Sequence, residues 1–207
     1  MTKLDHFLKI FEDDVADYYQ RHEETFDLES FHGRFHILRC LLLVDTLDKF
    51  YSSKKIELDI DKAYYAVLFH DSAREGNGYD EWELESAEKC FDYLKKEGFT
   101  ILEAEEISRL ILKETPFSLE GQILYDVDVL DYNRFFWFPH EEALFDQSKL
   151  IVATERDLTG IIDIAFRKQL IKLSQSLVVF MENSKVNTPT PELINKVYTY
   201  YIEINFL

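Results

Sequence analysis

Residues 61–75 read DKAYYAVLFHDSARE. Apart from two tyrosine hydroxyls the run is apolar from Ala63 to Phe69, and it then stops at His70-Asp71, with Arg74 and Glu75 close behind. Long 3.6-residue periods dominate the flanking chain, so the run reads as a buried helix rather than a strand. Its ending is unusual. An imidazole and a carboxylate are both costly to bury without partners, so a core helix that ends on the pair must deliver it to something.

Working outward, six glycines and four prolines in 207 residues are few, and the expected fold class is all-α. A first helix is expected over about 3–21, with Leu4, Phe7, Leu8, Phe11, Val15 and Tyr18 on one stripe. Asp27 or Ser30 is placed to cap a second over about 31–51, and Asp59 a third that carries DKAYYAVLFH. A fourth runs from about Asp80 to Lys96, with Asp80 as N-cap and Glu83 completing a capping box, and Gly98 is its stop. Further helices are expected near 102–113 and 121–136, then over 141–153, 157–182 and 190–204, with NSKVNTPTP (183–191) as an exposed loop. The expectation is one domain over 1–207, its motifs in about 30–135 and a helical extension over about 141–207.

Composition sets limits on function. The formal charge of −17 argues against duplex nucleic acid and anionic membranes as partners. It leaves room for a small phosphorylated substrate, because a few Arg and Lys side chains can reverse the potential inside one cleft. No apolar stretch is long enough to span a bilayer, and MTKLDHFLKIFEDD has no signal-peptide layout. Cys40 and Cys90, far apart in helical patterns, indicate no disulfide framework, so a reducing, cytoplasmic setting is expected; secretion as an effector is the alternative. Oligomeric state is left open.

Three places concentrate acid/base or metal-ligating side chains. In FHGRFHILRC, His32 and His36 are four apart and would share one face of a helix. His70-Asp71 is the second place. The third is YDVDVLDYNR, with Asp126, Asp128 and Asp131 in an apolar helix. Singly, each has a plain structural reading: helix-end histidines cap or face solvent, and aspartates at a helix start complement the macrodipole. His6, His22 and His140 take that reading. Together, two imidazoles and two carboxylates make a suitable set of ligands for one divalent cation, with room for water or substrate.

In order, spacing and helical setting, His36 in HILRC, His70-Asp71 in LFHDSAR and Asp128 in VDVLD resemble the HD-domain phosphohydrolases. That resemblance implies an HD-type helical bundle with His36, His70, Asp71 and Asp128 as ligands of a divalent cation (Mn, Mg, Fe, Ni or Zn). The finer texture, HGRFH, then FHDSAREGNGYDEWELES, then YDVDVLDYNR, is similar to the phosphodiesterase domain of SidE-type bacterial effectors and its small stand-alone relatives. Tyr125 stands where those relatives usually have His, and Val127 where they have Ala. The resemblance implies cleavage of a phosphodiester, in the effectors one that links ADP-ribose to ubiquitin, with a histidine as nucleophile and no cation required.

Both readings use nearly the same side chains. With a cation, bound water is acidified and His32 orients the nucleophile or protonates the leaving oxygen. Without one, His32 attacks phosphorus while Glu75 or Asp71 fixes its ring, and His140 is a candidate donor of the leaving-group proton. Arg74 is placed to bind phosphate, with Lys113 and Arg134 as further candidates and Trp82 as a stacking surface or a packing residue. Glu75 is a base or an exposed helix-end carboxylate. The aromatic band FFWF (135–138) is read as core, with a nucleobase platform as the alternative. The expected substrate is a nucleotide-like or phosphoribosylated molecule or protein. Two other classes remain: a catalytically silent HD module that senses a nucleotide, and an interaction protein whose acidic surface meets a basic partner.

Overall fold

The computed structural model describes residues 1–25, 32–53, 55–76, 81–114 and 118–131. Among them every regular element is helical and no strand occurs, so the protein is all-α as the periodicity predicts. The chain groups into two compact units, 1–125 and 126–207. Helices expected over 141–153, 157–182 and 190–204, the loop at 183–191 and the FFWF band fall outside the described residues.

The centre of the first unit is α4 (Ile60–Phe69), in which eight residues, among them every one from Ala63 to Phe69, are buried. It packs against α3 (Arg34–Ser53), α5 (Glu83–Lys96) and α6 (Ile101–Arg109), which enclose its last two turns, while Asp61 in its first turn remains half-buried. Each fully buried Leu or Phe contributes about 1.5–3 kcal/mol, and Leu68 and Phe69 are among those with no exposure. Asp59 is the N-cap residue but its side chain makes no capping hydrogen bond; Asp59 N–H instead donates to Glu120 at the start of α7 (Leu119–Asp131).

The N-terminal helix departs from expectation. It is α1 (Lys3–Ile10), a π-helical turn (Phe11–Val15) and α2 (Ala16–Thr25). Thr2 and Asp5 cap α1 reciprocally. A π turn takes one more residue than an α turn, so the faces beyond it rotate. The inward stripe runs as expected through Leu4, Phe7, Leu8, Phe11 and Val15, then continues with Tyr19 and His22; Tyr18 is 40% exposed. His22 is therefore buried, against the solvated role expected of it, while His6 is exposed.

Two helix starts also differ. α3 begins at Arg34 rather than 31, so His32 precedes the helix instead of riding on it. Asp27 and Ser30 lie outside the described residues, and the first amide of α3 is taken by Glu23 of α2. α5 begins at Glu83, after Trp82, whose side chain makes no capping bond, so an Asp80–Glu83 capping box does not start this helix. Its other end matches. Gly98 has φ 94°, its N–H donates to Lys95, and Phe99 N–H donates to Leu94, the paired bonds of a glycine-terminated helix. Thr100 and Glu103 then form a reciprocal cap for α6, which continues as a 3-10 turn, Leu110–Leu112.

Candidate active site

Past the last residue of α4 the chain turns sharply, with Ser72 N–H donating to Phe69 and Arg74 N–H to Asp71. His70 and Asp71 are thereby carried at the end of the central helix, both under 10% exposed. The His70 ring is held from within its own helix: Nδ1 lies 2.8 Å from the Val67 carbonyl oxygen. A carbonyl accepts only, so Nδ1 carries the proton and Nε2 presents its lone pair.

The second imidazole comes from α3. His36 is buried, and its Nε2 stands 3.1 Å from His70 Nε2. Asp71 Oδ2 lies 3.5 Å from each of those nitrogens. His36 Nδ1 faces Cys40 Sγ at 3.7 Å, one turn along α3. Cys40 and Cys90 are both buried and free.

Three donor atoms, two nitrogens and one oxygen, thus lie within 4.8 Å of one another. Ligands about 2.1 Å from one cation are about 3.0 Å apart at a right angle and about 3.4 Å apart at a tetrahedral angle. The 3.1 and 3.5 Å separations match those edges, and the donor set fits a divalent cation of borderline softness. The same geometry is also self-consistent as a hydrogen-bond relay: Cys40 S–H toward His36 Nδ1, His36 Nε2–H toward His70 Nε2, and His70 Nδ1–H to Val67.

Arg74 completes the α4 side. It is buried, with Nη1 3.5 Å from Asp71 Oδ1, Nε donating to the Gly76 carbonyl at 2.8 Å, and its guanidinium 5.4 Å from the centre of the Trp82 ring. Trp82 in turn lies beside Gly76. The planar fork therefore ties Asp71, the 75–76 turn and Trp82 into one block. α5 secures the same turn: Ser86 Oγ accepts Ala73 N–H at 3.1 Å, and Lys89 Nζ donates to the Ser72 carbonyl at 2.7 Å.

The remaining expected site residues fall as follows. His32 is half-buried, its ring centre 6.0 Å from that of His36 in an edge-on arrangement, so the two histidines are neighbours although only one is helical. Glu75 is exposed. Lys113 closes the 3-10 turn with a left-handed backbone, φ 52°. Asp128 belongs to the second unit and is half-buried there, while Asp126 and Asp131 are buried. Arg134, His140 and Asp80 lie outside the described residues.

Two residues of the site carry no sequence signal. Tyr19 of α2 is fully buried and donates its hydroxyl to the Leu68 carbonyl at 2.8 Å. Burial, with the Asp71 charge adding to it, holds that phenol well above its ordinary range, so it remains a donor. Glu23, one turn on, accepts the Arg34 N–H at 2.6 Å and Arg34 Nε at 2.9 Å. The π turn brings Tyr19 inward, and no pairwise spacing in the sequence announces either contact.

A family model, the SidE phosphodiesterase (PDE) domain, matches residues 16–188. The span is wider than the motif region of about 30–135, and it begins at the first residue of α2, the helix that carries Tyr19 and Glu23. No curated protein and no solved structure matches the chain.

Proposed function

The chain belongs to the SidE phosphodiesterase (PDE) domain family, and from that premise we propose that it hydrolyses a phosphodiester of an ADP-ribose-derived or nucleotide-like group at the His36–His70–Asp71 centre. The observation that carries the reading is the convergence of three reactive side chains from two helices at one buried point, with Arg74 held against the carboxylate.

His32 is the reacting imidazole. It is half-buried where His36 and His70 are buried, so of the three it is the one open to substrate, and it stands beside His36. As nucleophile it forms a P–N bond while the P–O bond to the leaving group breaks, and water then releases the phosphoryl group. The relay through His36 and His70 keeps a defined set of tautomers behind it, and Arg74 offers positive charge to the phosphoryl oxygens. This reading requires no cation.

A second reading draws on the ligand-edge distances. His36, His70 and Asp71 would hold a divalent cation, which when bound supplies Lewis-acid polarisation and an acidified water. His32 then serves the leaving oxygen as proton donor. The two readings differ at one proton: His36 Nε2 carries it in the relay and cannot carry it when ligating.

Turnover of bis(4-nitrophenyl) phosphate and of an ADP-ribosyl phosphodiester by the purified chain tests the function. Activity should disappear in His32→Ala and His70→Ala. Trapping of 32P-labelled phosphoryl that is stable in alkali and lost in acid, on wild type but not on His32→Gln, supports the nucleophile. Activity that falls with chelator and returns with one added metal supports the cation instead. A silent nucleotide-binding module would turn over neither compound.

A further inference from the structure

The Glu23 carboxylate sits where the turn before α3 would otherwise have a side chain. Oε1 accepts the Arg34 backbone N–H at 2.6 Å, and Oε2 meets Arg34 Nε at 2.9 Å and Nη2 at 2.8 Å. Both side chains are mostly buried, 11% and 20% exposed, so these are charge-assisted bonds shielded from water. The Arg34 amide is the first of α3, and a carboxylate there also complements the helix dipole. Helices usually draw this cap from the residue just before them; here it arrives from another helix.

Gly33 shows the consequence. A Cβ built at position 33 would lie 2.2 Å from Glu23 Oε1, 2.6 Å from its Cγ and 2.8 Å from its Cδ. A free Glu side chain would swing aside at little cost. This one is held by three bonds to Arg34, so any residue larger than glycine must break the cap. The glycine between His32 and Arg34 is thus explained by a residue ten positions earlier.

Tyr19, one turn before Glu23, donates to Leu68 at the end of α4. Residues four apart on a helix are separated by about 6 Å along its axis. One face of α2 therefore grips the α4 end, which carries His70 and Asp71, and the α3 start, which carries His32 and His36.

We propose that Glu23 is a positioning residue of the active site: by capping Arg34 and filling the space over Gly33, it sets the His32 ring against His36. The proposal rests on the reading of His32 as the reacting imidazole. It makes the glycine and the carboxylate one device rather than two.

The test is a double-mutant cycle in the full chain with bis(4-nitrophenyl) phosphate. Glu23→Ala should lower kcat by about 100-fold, as a displacement near 1 Å does, with KM changed by less than about twofold. Glu23→Gln, whose amide oxygen still accepts the Arg34 N–H, should recover much of that loss. Gly33→Ala should damage wild type as severely as Glu23→Ala does, and should add nothing in the Glu23→Ala background. The charge swap Glu23→Arg/Arg34→Glu should not restore turnover, because the backbone amide stays uncapped. Additive losses, rescue by the swap, or an unchanged kcat in Glu23→Ala would overturn the proposal.

The imidazole NMR signals of His32, assigned by their loss in His32→Gln, supply a readout free of turnover. They should shift in Glu23→Ala and return in Glu23→Gln; no shift would also overturn the proposal. If wild type turns over no phosphodiester, the functional reading fails and the NMR cycle still decides the role of Glu23. Thermal melts accompany each variant, and Glu23→Gln serves if Glu23→Ala does not fold.

Discussion

The two helix ends whose imidazoles meet at 3.1 Å are held in opposite ways. His70 is oriented by its own neighbourhood: the Val67 carbonyl three residues back, Asp71 beside it, and Arg74 three further on. The α3 side is set from a distance, since Glu23 of α2 caps the helix start and a π turn decides which face of α2 looks inward. Local orientation survives small shifts of the surrounding helices; remote orientation does not. Substitutions at the α4 end should therefore cost activity with little change in stability, and those on α2 should cost both.

The largest effect is expected at the locally held end. His70→Ala should lower kcat/KM by about 1,000-fold with an unchanged circular dichroism spectrum; retention of more than a tenth of the activity would remove His70 from the chemistry. Arg74→Lys comes next. A lysine cannot bridge Asp71 and the Gly76 carbonyl with a planar fork, and a loss of about 10- to 100-fold is expected.

On the remotely held side, Tyr19→Phe leaves the Leu68 carbonyl without its buried donor. Steady-state kinetics should show a several-fold loss of turnover, and urea melts a loss of about 1 kcal/mol. Wild-type stability in that variant would mean that α2 is not clamped to α4. As a contrast, Thr100→Ala removes the α6 cap far along the chain from either group; it should cost about 1 kcal/mol of stability and leave turnover untouched.

The smallest effect concerns pH. Burial, then the nearby Arg21 charge, lowers the Lys89 pKa below its ordinary 10.5. Between the lowered and ordinary values the unfolded chain holds a proton that the folded chain has released. Stability from this group therefore rises with pH through that window, which lies below 10.5. Lys89→Met should flatten the slope there, and an identical slope would show that other groups set it.

The difference between the two sides also explains what could be read in advance. The run from Ala63 to Phe69, its stop at His70-Asp71 and the approach of Arg74 depend on residues a few positions apart, and the helical period alone lays them out. Gly98 was likewise visible, as a helix stop. The expected starts of α3 at 31 and of α5 at Asp80 were too early, and the cap that Glu23 supplies to α3 was invisible because capping by a neighbour is a local rule and this one comes from another helix. Tyr18 stood in for Tyr19 in the expected stripe because a pattern written with a constant period cannot register a single π turn.

Sequence alone was enough for the helical class, the buried central helix and the His70-Asp71 pair at its end, because periodicity and short spacings act through the backbone of one helix at a time; that His36 meets that pair was an expectation from the family resemblance, and the folded chain brings them to 3.1 Å. Which face α2 turns inward, how Glu23 reaches the start of α3 and why position 33 must be glycine were decided only in the folded chain. Those contacts join residues whose separation along the sequence has no fixed relation to their separation in space, so steric exclusion and hydrogen bonding between helices settle them.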